Sequence, residues 1–214
     1  ATFPTQIQPS SAEESLQPSS EAADPATTKL IAQLFDESLS LKVRSQAALS
    51  LSKLGTDAAL SALVSALSKN SPSYLKAAIA QGLGDSPNSA ARALMNDLIN
   101  DKDEIVARGA VRGMALIGDS DAVNSLGGLL FNEQVPLSVR AEAALALGDV
   151  NFPAALQTLT RAAAEIKDND VLENVLDGLG KRPFSETEKF FSNYISSQDV
   201  SDESKVAAIE ALGN

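Results

Sequence analysis

The side chains that most often perform acid–base or nucleophilic chemistry are missing from this sequence, which contains no His and no Cys. An imidazole base, a thiolate nucleophile and the usual His/Cys zinc sites are therefore excluded, so the chain reads as a non-enzyme that needs no cofactor. Carboxylate chemistry and oxygen-ligated Ca²⁺ or Mg²⁺ stay open. Carboxylates cluster at Asp101-Lys102-Asp103-Glu104, Asp119-Ser120-Asp121 and Asp168-Asn169-Asp170. None of these has the twelve-residue spacing of an EF-hand, and helix capping is the preferred reading. Arg44 and Arg140 stand in matching contexts, Val43-Arg44-Ser45-Gln46-Ala47-Ala48 and Val139-Arg140-Ala141-Glu142-Ala143-Ala144. A cation repeated in this way suits a bond to helix-end carbonyls or neighbouring carboxylates better than an active site. Phe184, Phe190, Phe191 and Tyr194 hold a large share of the few aromatics. Core packing is their default, with an exposed anchor patch as the alternative.

The elements that would position these residues are helical. Of 214 residues, 44% are hydrophobic, mainly Ala, Leu, Val and Ile with no Trp, and such small side chains suit closely packed helices. A net charge of −11 argues against nucleic acid and anionic lipid as partners, because both are held by Lys and Arg. No apolar run is long enough to span a bilayer and no charged-then-apolar signal segment is present, so membrane insertion is not expected. The absence of Cys fits either redox compartment. A start at Ala1 followed by a Ser/Pro-rich stretch leans toward an exported, processed chain, and a trimmed chain would look the same.

Residues 1–26 are rich in Pro, Ser and Glu without a sustained helical period and read as a tail or linker. The alternative is a docking peptide at Phe3-Pro4-Thr5-Gln6-Ile7, which places two apolar anchors in an extended context. From Thr27 onward, apolar residues recur at helical spacing and are interrupted by Gly, Pro, Asp or Asn. Residues Leu34 to Leu51 align without a gap on Leu130 to Leu147, an offset of 96 residues or three units of 32. The same offset carries Ala58-Ala59-Leu60 and Leu63 onto Ala154-Ala155-Leu156 and Leu159. Repetition at this period means stacked supersecondary units.

Each unit reads as two helices. First helices such as Ser40–Leu54 and Leu137–Leu147 run into stops at Leu83-Gly84-Asp85, Ile117-Gly118-Asp119 and Leu147-Gly148-Asp149, where Gly suits a left-handed cap. Asp57, Asp121 and Ser185 are expected to cap second helices, and Pro153 to occupy a first turn. Gly82, Gly113 and Gly178 lie inside helical patterns and point to close helix approach. Lys29 to Asp36 matches a second helix with no first helix before it, and Val206 to Leu212 a first helix with none after it. The expectation is a chain that continues, or an open edge that packs on something.

The motif Val-Arg-x-x-Ala-Ala-Leu-x-Leu, followed by a loop and Ala-Ala-Leu-x-x-Leu, resembles the short HEAT-like repeats first associated with phycobilisome lyases. The resemblance covers about residues 27–214 and implies an all-α fold, a right-handed α-α superhelix (α-solenoid) of about five HEAT-like two-helix repeats. It also implies that first helices line the convex face and second helices the concave one. By helical period the second helices bury Leu60, Leu63 and Leu67; Leu94, Met95 and Leu98; Val123, Leu126 and Leu130; and Leu156, Leu159 and Ala163. The opposite stripe contains Ser61, Ser65, Arg92, Asn96, Asn124, Gly128, Gln157, Arg161, Lys189 and Asn193. It reads as a partner-binding groove, against the plainer alternative of a solvated face. The fifth unit departs most, with Lys181-Arg182-Pro183-Phe184 and Phe190 to Tyr194 replacing an Ala-rich second helix. HEAT-type di-iron hydroxylases carry His-Glu motifs and HEAT-like DNA glycosylases are basic, so this chain departs from both.

The leading functional reading is a non-catalytic scaffold or adaptor that binds a protein or peptide along that groove. The alternatives are a lyase-like or other cofactor-handling subunit, and a module that self-associates through the N-terminal tail or the open C-terminal edge.

Overall fold

The apolar runs all become helices in the computed structural model, which describes residues 24–213. The described helices are α1 (Pro25–Phe35), α2 (Leu41–Leu54), α3 (Asp57–Ser68), α4 (Ser73–Leu83), α5 (Ser89–Leu98), α6 (Glu104–Ile117), α7 (Ser120–Phe131), α8 (Leu137–Asp149), α9 (Pro153–Glu165), α10 (Asn169–Gly180), α11 (Phe184–Ser196) and α12 (Asp202–Gly213). Even-numbered helices are the first helices of the repeats and odd-numbered helices the second. Five pairs, α2–α3 to α10–α11, are flanked by α1 and α12, as the repeat period requires. Pro25 and Ala26 already belong to α1, because Pro is tolerated where the first-turn N–H has no partner. The Phe3–Ile7 segment lies outside the described residues. None of the described helices is long and apolar enough to cross a membrane.

The helices form an all-α solenoid of two layers. Each even helix packs directly on the next even one, whereas appreciable contact in the odd layer is limited to α1 on α3 and α7 on α9. Glycine explains the tightness of the even layer. A Cβ on Gly148 would collide with the Gly178 carbonyl, and one on Gly178 with the Ala144 carbonyl, so α8 and α10 touch backbone to backbone. Gly109 against Ala77 and Gly84 against Gly113 show the same backbone contact, while Gly82 leaves room for the Ser52 side chain and Gly113 for Met95.

This packing corrects two of the expected helix stops. Gly118 is left-handed at φ 62° and its N–H bonds to the Met114 carbonyl at 3.1 Å. Gly84 is right-handed, and Gly148 lies within α8, because the neighbouring first helix needs bare backbone at both places. Three capping expectations also move. Thr56, not Asp57, caps α3 by accepting the Ala59 N–H at 3.2 Å. Asp119, not Asp121, caps α7 through the Ala122 N–H at 2.9 Å. Pro183, not Ser185, precedes α11. Asp57 and Asp121 instead occupy first turns, where a negative charge suits the helix dipole. Pro153 opens α9 as expected.

The core lies between the layers. Leu63, Met95, Val123, Leu126, Leu130, Leu159 and Ala163 are buried there, and Leu60, Leu67, Leu94, Leu98 and Leu156 pack against them half-buried. The repeated arginines tie one unit to the next. Arg44 Nε donates to the Leu34 carbonyl at 3.0 Å, and Arg140 Nε to the Leu130 carbonyl at 3.1 Å. Those carbonyls lie in the last turns of α1 and α7, where the helix has no N–H to offer them.

Candidate binding groove

With their apolar faces turned into the core, the odd helices present the opposite stripe outward. Ser61 and Ser65 on α3, Arg92 and Asn96 on α5, Asn124 and Gly128 on α7, Gln157 and Arg161 on α9, and Lys189 and Asn193 on α11 are all exposed. The structure does not gather all ten into one site. Arg92 bonds to Asp119 at 2.6 Å, across the connection from α5 to the cap of α7. The Arg92 guanidinium holds the Asp119 carboxyl below the usual Asp value, assisted by the Ala122 N–H, and Asp119 in turn raises Arg92. Arg92 is therefore a brace between helices. Ser61, Ser65, Asn96, Gln157 and Lys189 are exposed but line none of the three hollows described next.

Furrows open along the odd layer, even where its helices touch, as α7 and α9 do. One of about 290 Å³ between α7 and α9 is lined by Asn124, Gly128, Phe131, Thr158 and Arg161. A Cβ on Gly128 would meet nothing within 4 Å, so the furrow is open at that point. The Arg161 guanidinium lies 4.4 Å from the centre of the Phe131 ring, and its Nε is 3.0 Å from Glu165. That bond lowers the Glu165 pKa and raises that of Arg161. Phe131 and Arg161 are shared with a second hollow of about 570 Å³, which also includes Glu133, Glu165 and Lys167. Ile166 and Lys167 are shared in turn with a cleft of about 620 Å³ among α9, α10, α11 and the start of α12. Successive hollows thus share lining residues, in a row that reaches Asn193.

The aromatic cluster divides between core and groove. Phe191 is 1% exposed, and Phe190 meets it edge-on at 5.3 Å while stacking on Tyr194 at 5.3 Å. Phe190 and Tyr194 line the cleft, whereas Phe184 is 58% exposed. Burial raises the Tyr194 pKa against the opposing hydrogen bond of Ser204, so the phenol stays protonated at neutral pH. Buried Arg182 supports the base of α11, bonding the Val150 carbonyl and Glu186, the latter at 2.8 Å.

Sequence reasoning missed Phe131, Ile166, Lys167 and the 197–204 segment as groove residues. The signal available for the last was the departure of the fifth unit from the Ala-rich pattern. The side chains of Asn124, Gln157 and Asn193 make no hydrogen bond among the described residues. No cluster of carboxylates among the described residues is placed to hold a metal ion. The three Asp-rich loops serve as caps, with Asp103 accepting the Ile105 N–H at 3.0 Å and Asp168 the Val171 N–H at 3.1 Å.

A two-layer stack of helix pairs with a furrowed second-helix face defines a helical repeat protein. The family model for HEAT repeats matches residues 12–84, 61–138 and 91–179, and the chain belongs to the HEAT-repeat family. No curated protein matches it. Among solved structures it is similar to human deoxyhypusine hydroxylase in complex with glycerol, with 18% identity over 87% of this chain and 84% of that one and a TM-score of 0.40. It is also similar to the complex of CpcE and CpcF of phycocyanin lyase from Nostoc sp. PCC7120, with 18% identity, 97% and 92% coverage and a TM-score of 0.42. An engineered protein matches at 18% identity, 87% and 95% coverage and a TM-score of 0.44.

Proposed function

We propose that this helical repeat scaffold is non-catalytic and holds an extended peptide or protein segment along its second-helix face, from Asn124 and Gly128 past Arg161 to Asn193. The observation that supports this reading is the overlap in lining along the row of hollows, with Phe131 and Arg161 shared by the first two and Ile166 and Lys167 by the last two. An extended chain offers backbone N–H and C=O groups along its whole length. Free amides at Asn124 and Asn193 and the paired charges of Arg161 and Glu165 suit such a ligand. Lys167, which has no ion pair among the described residues, also softens the acidic field of a chain carrying a net charge of −11.

Affinity capture with the wild-type chain and with the double variant Gly128→Arg/Arg161→Glu, followed by mass spectrometry, tests the reading. Proteins captured by the wild type are expected to be lost with the variant while its helical circular dichroism is unchanged. Equal capture by a folded variant removes the groove from the account. A pigment or ligand that co-purifies with the wild type would favour a cofactor-handling subunit, and a mass that rises with concentration would favour self-assembly.

A further inference from the structure

The two ends of the groove differ in chemistry. The α7–α9 furrow is narrow and lined largely by small or polar residues, Gly127, Gly128, Asn124 and Thr158, beside Val123, Phe131 and Arg161. The cleft at the α11 end instead has apolar lining from Phe190, Tyr194, Leu172 and Ile166, joined by the amide of Asn193 and the hydroxyl of Ser201. At about 620 Å³ it falls within the size range of clefts that bind an organic group. Lys167 from the α9–α10 connection and Asp199 from the α11–α12 connection also line it, and neither has an ion pair among the described residues.

We propose that this cleft takes a Tyr or Trp side chain of the segment held in the groove, with an acidic residue of that segment on the Lys167 side and a basic one on the Asp199 side. The proposal rests on the peptide-groove reading. An apolar ring with a polar tip matches both halves of the lining: the ring contacts Phe190 and Tyr194, and the hydroxyl or indole N–H reaches Asn193 or Ser201. Aromatic anchors of this kind dominate the binding energy of many interfaces, while surrounding contacts mainly exclude water. Lys167 is shared with the middle hollow, so the acidic residue falls on the groove side of the anchor and the basic residue beyond it.

The test selects phage-displayed random dodecapeptides on the wild-type chain. Enriched clones are then measured on Asn193→Trp and Ala164→Trp, which fill the cleft from α11 and α9, and on Gly128→Arg, which blocks the furrow. Circular dichroism and thermal melts establish that each variant is folded. Enriched peptides are expected to share an acid–Tyr/Trp–base pattern and to bind both filled variants at least tenfold more weakly. Replacing the peptide's Tyr or Trp by Ala should weaken wild-type binding equally, a readout that depends on no protein variant. Clones without a fixed Tyr or Trp, or indifferent to its replacement and to cleft filling, overturn the anchor. If those clones still lose binding to Gly128→Arg, the groove reading survives without it. No enrichment, or indifference to all three variants, overturns both.

Discussion

The two helix layers of this chain are built from the same repeat yet solve opposite problems. In the even layer, Gly and Ala bring backbones into contact, as at Gly148 and Gly178 between α8 and α10. In the odd layer, adjacent helices stand further apart and hollows open between them. Close packing maximises dispersion contacts and leaves no room for a ligand, whereas a spread layer sacrifices such contacts and gains a lined groove. Tight packing and open hollows thus fall on different faces of one stack, and substitutions of the same kind should have opposite consequences in the two layers.

The largest effect is expected in the tight layer. Gly178→Val would push a branched side chain into the Ala144 carbonyl, and overpacking of this kind costs up to about 3 kcal/mol. A urea midpoint equal to that of the wild type would break the contrast between the layers. Next comes Arg140→Met, which keeps the buried stem but leaves the Leu130 carbonyl without its 3.1 Å bond. A buried acceptor left unsatisfied costs about 1–3 kcal/mol, and the matching Arg44→Met should cost a similar amount at Leu34. A loss at one site and not the other would mean that the two units are held by different means.

The repeat was legible in the sequence because helical period and repeat period reinforce each other. Each Val-Arg-x-x-Ala-Ala run fixes a buried face, and the duplicated arginine could be read as a helix-end bond before either carbonyl was known. Capping was less legible. Thr56 and Asp57, or Asp119 and Asp121, are competing acceptors whose choice depends on where the backbone turns. Gly148 was ambiguous for a different reason: the same residue can stop a helix or admit a neighbour, and the neighbour lies 30 residues away at Gly178. Exposure of the polar stripe followed from the 3.6-residue period. The row of hollows did not, because it depends on the spacing between helices and on the α11–α12 connection, which interrupts the period. Arg92 was diverted for the same reason, since its partner Asp119 stands on the next second helix.

In the loose layer the sign should reverse. A methyl at Gly128 enters open space, so Gly128→Ala removes only a conformational cost and should stabilise the chain by about 0.5–1 kcal/mol, read as a higher melting temperature. A lower melting temperature would show that this point is not open.

The smallest effect concerns how the loose layer holds together at all. Helices α5 and α7 scarcely touch, and the Arg92–Asp119 pair spans the gap between them. Both side chains are more than a third exposed, so the pair contributes about 0.5 kcal/mol after solvent screening. Its pH dependence follows from the lowered Asp119 pKa. A carboxyl that is more acidic in the folded chain than its ordinary value of 3.8 stabilises the fold above that value. The contribution is lost as pH falls through the folded value. Asp119→Asn keeps a capping oxygen for the Ala122 N–H and removes only the charge. Unfolding free energies measured from pH 6 to pH 2 should therefore show the wild type ahead at pH 6 and converge with the variant as pH falls below 3.8 and through the folded value. Raising the salt concentration should narrow the same gap at pH 6, as screening of an exposed pair requires. A gap that is independent of both pH and salt would assign the brace to the helix cap alone and leave α5 and α7 joined by no charge.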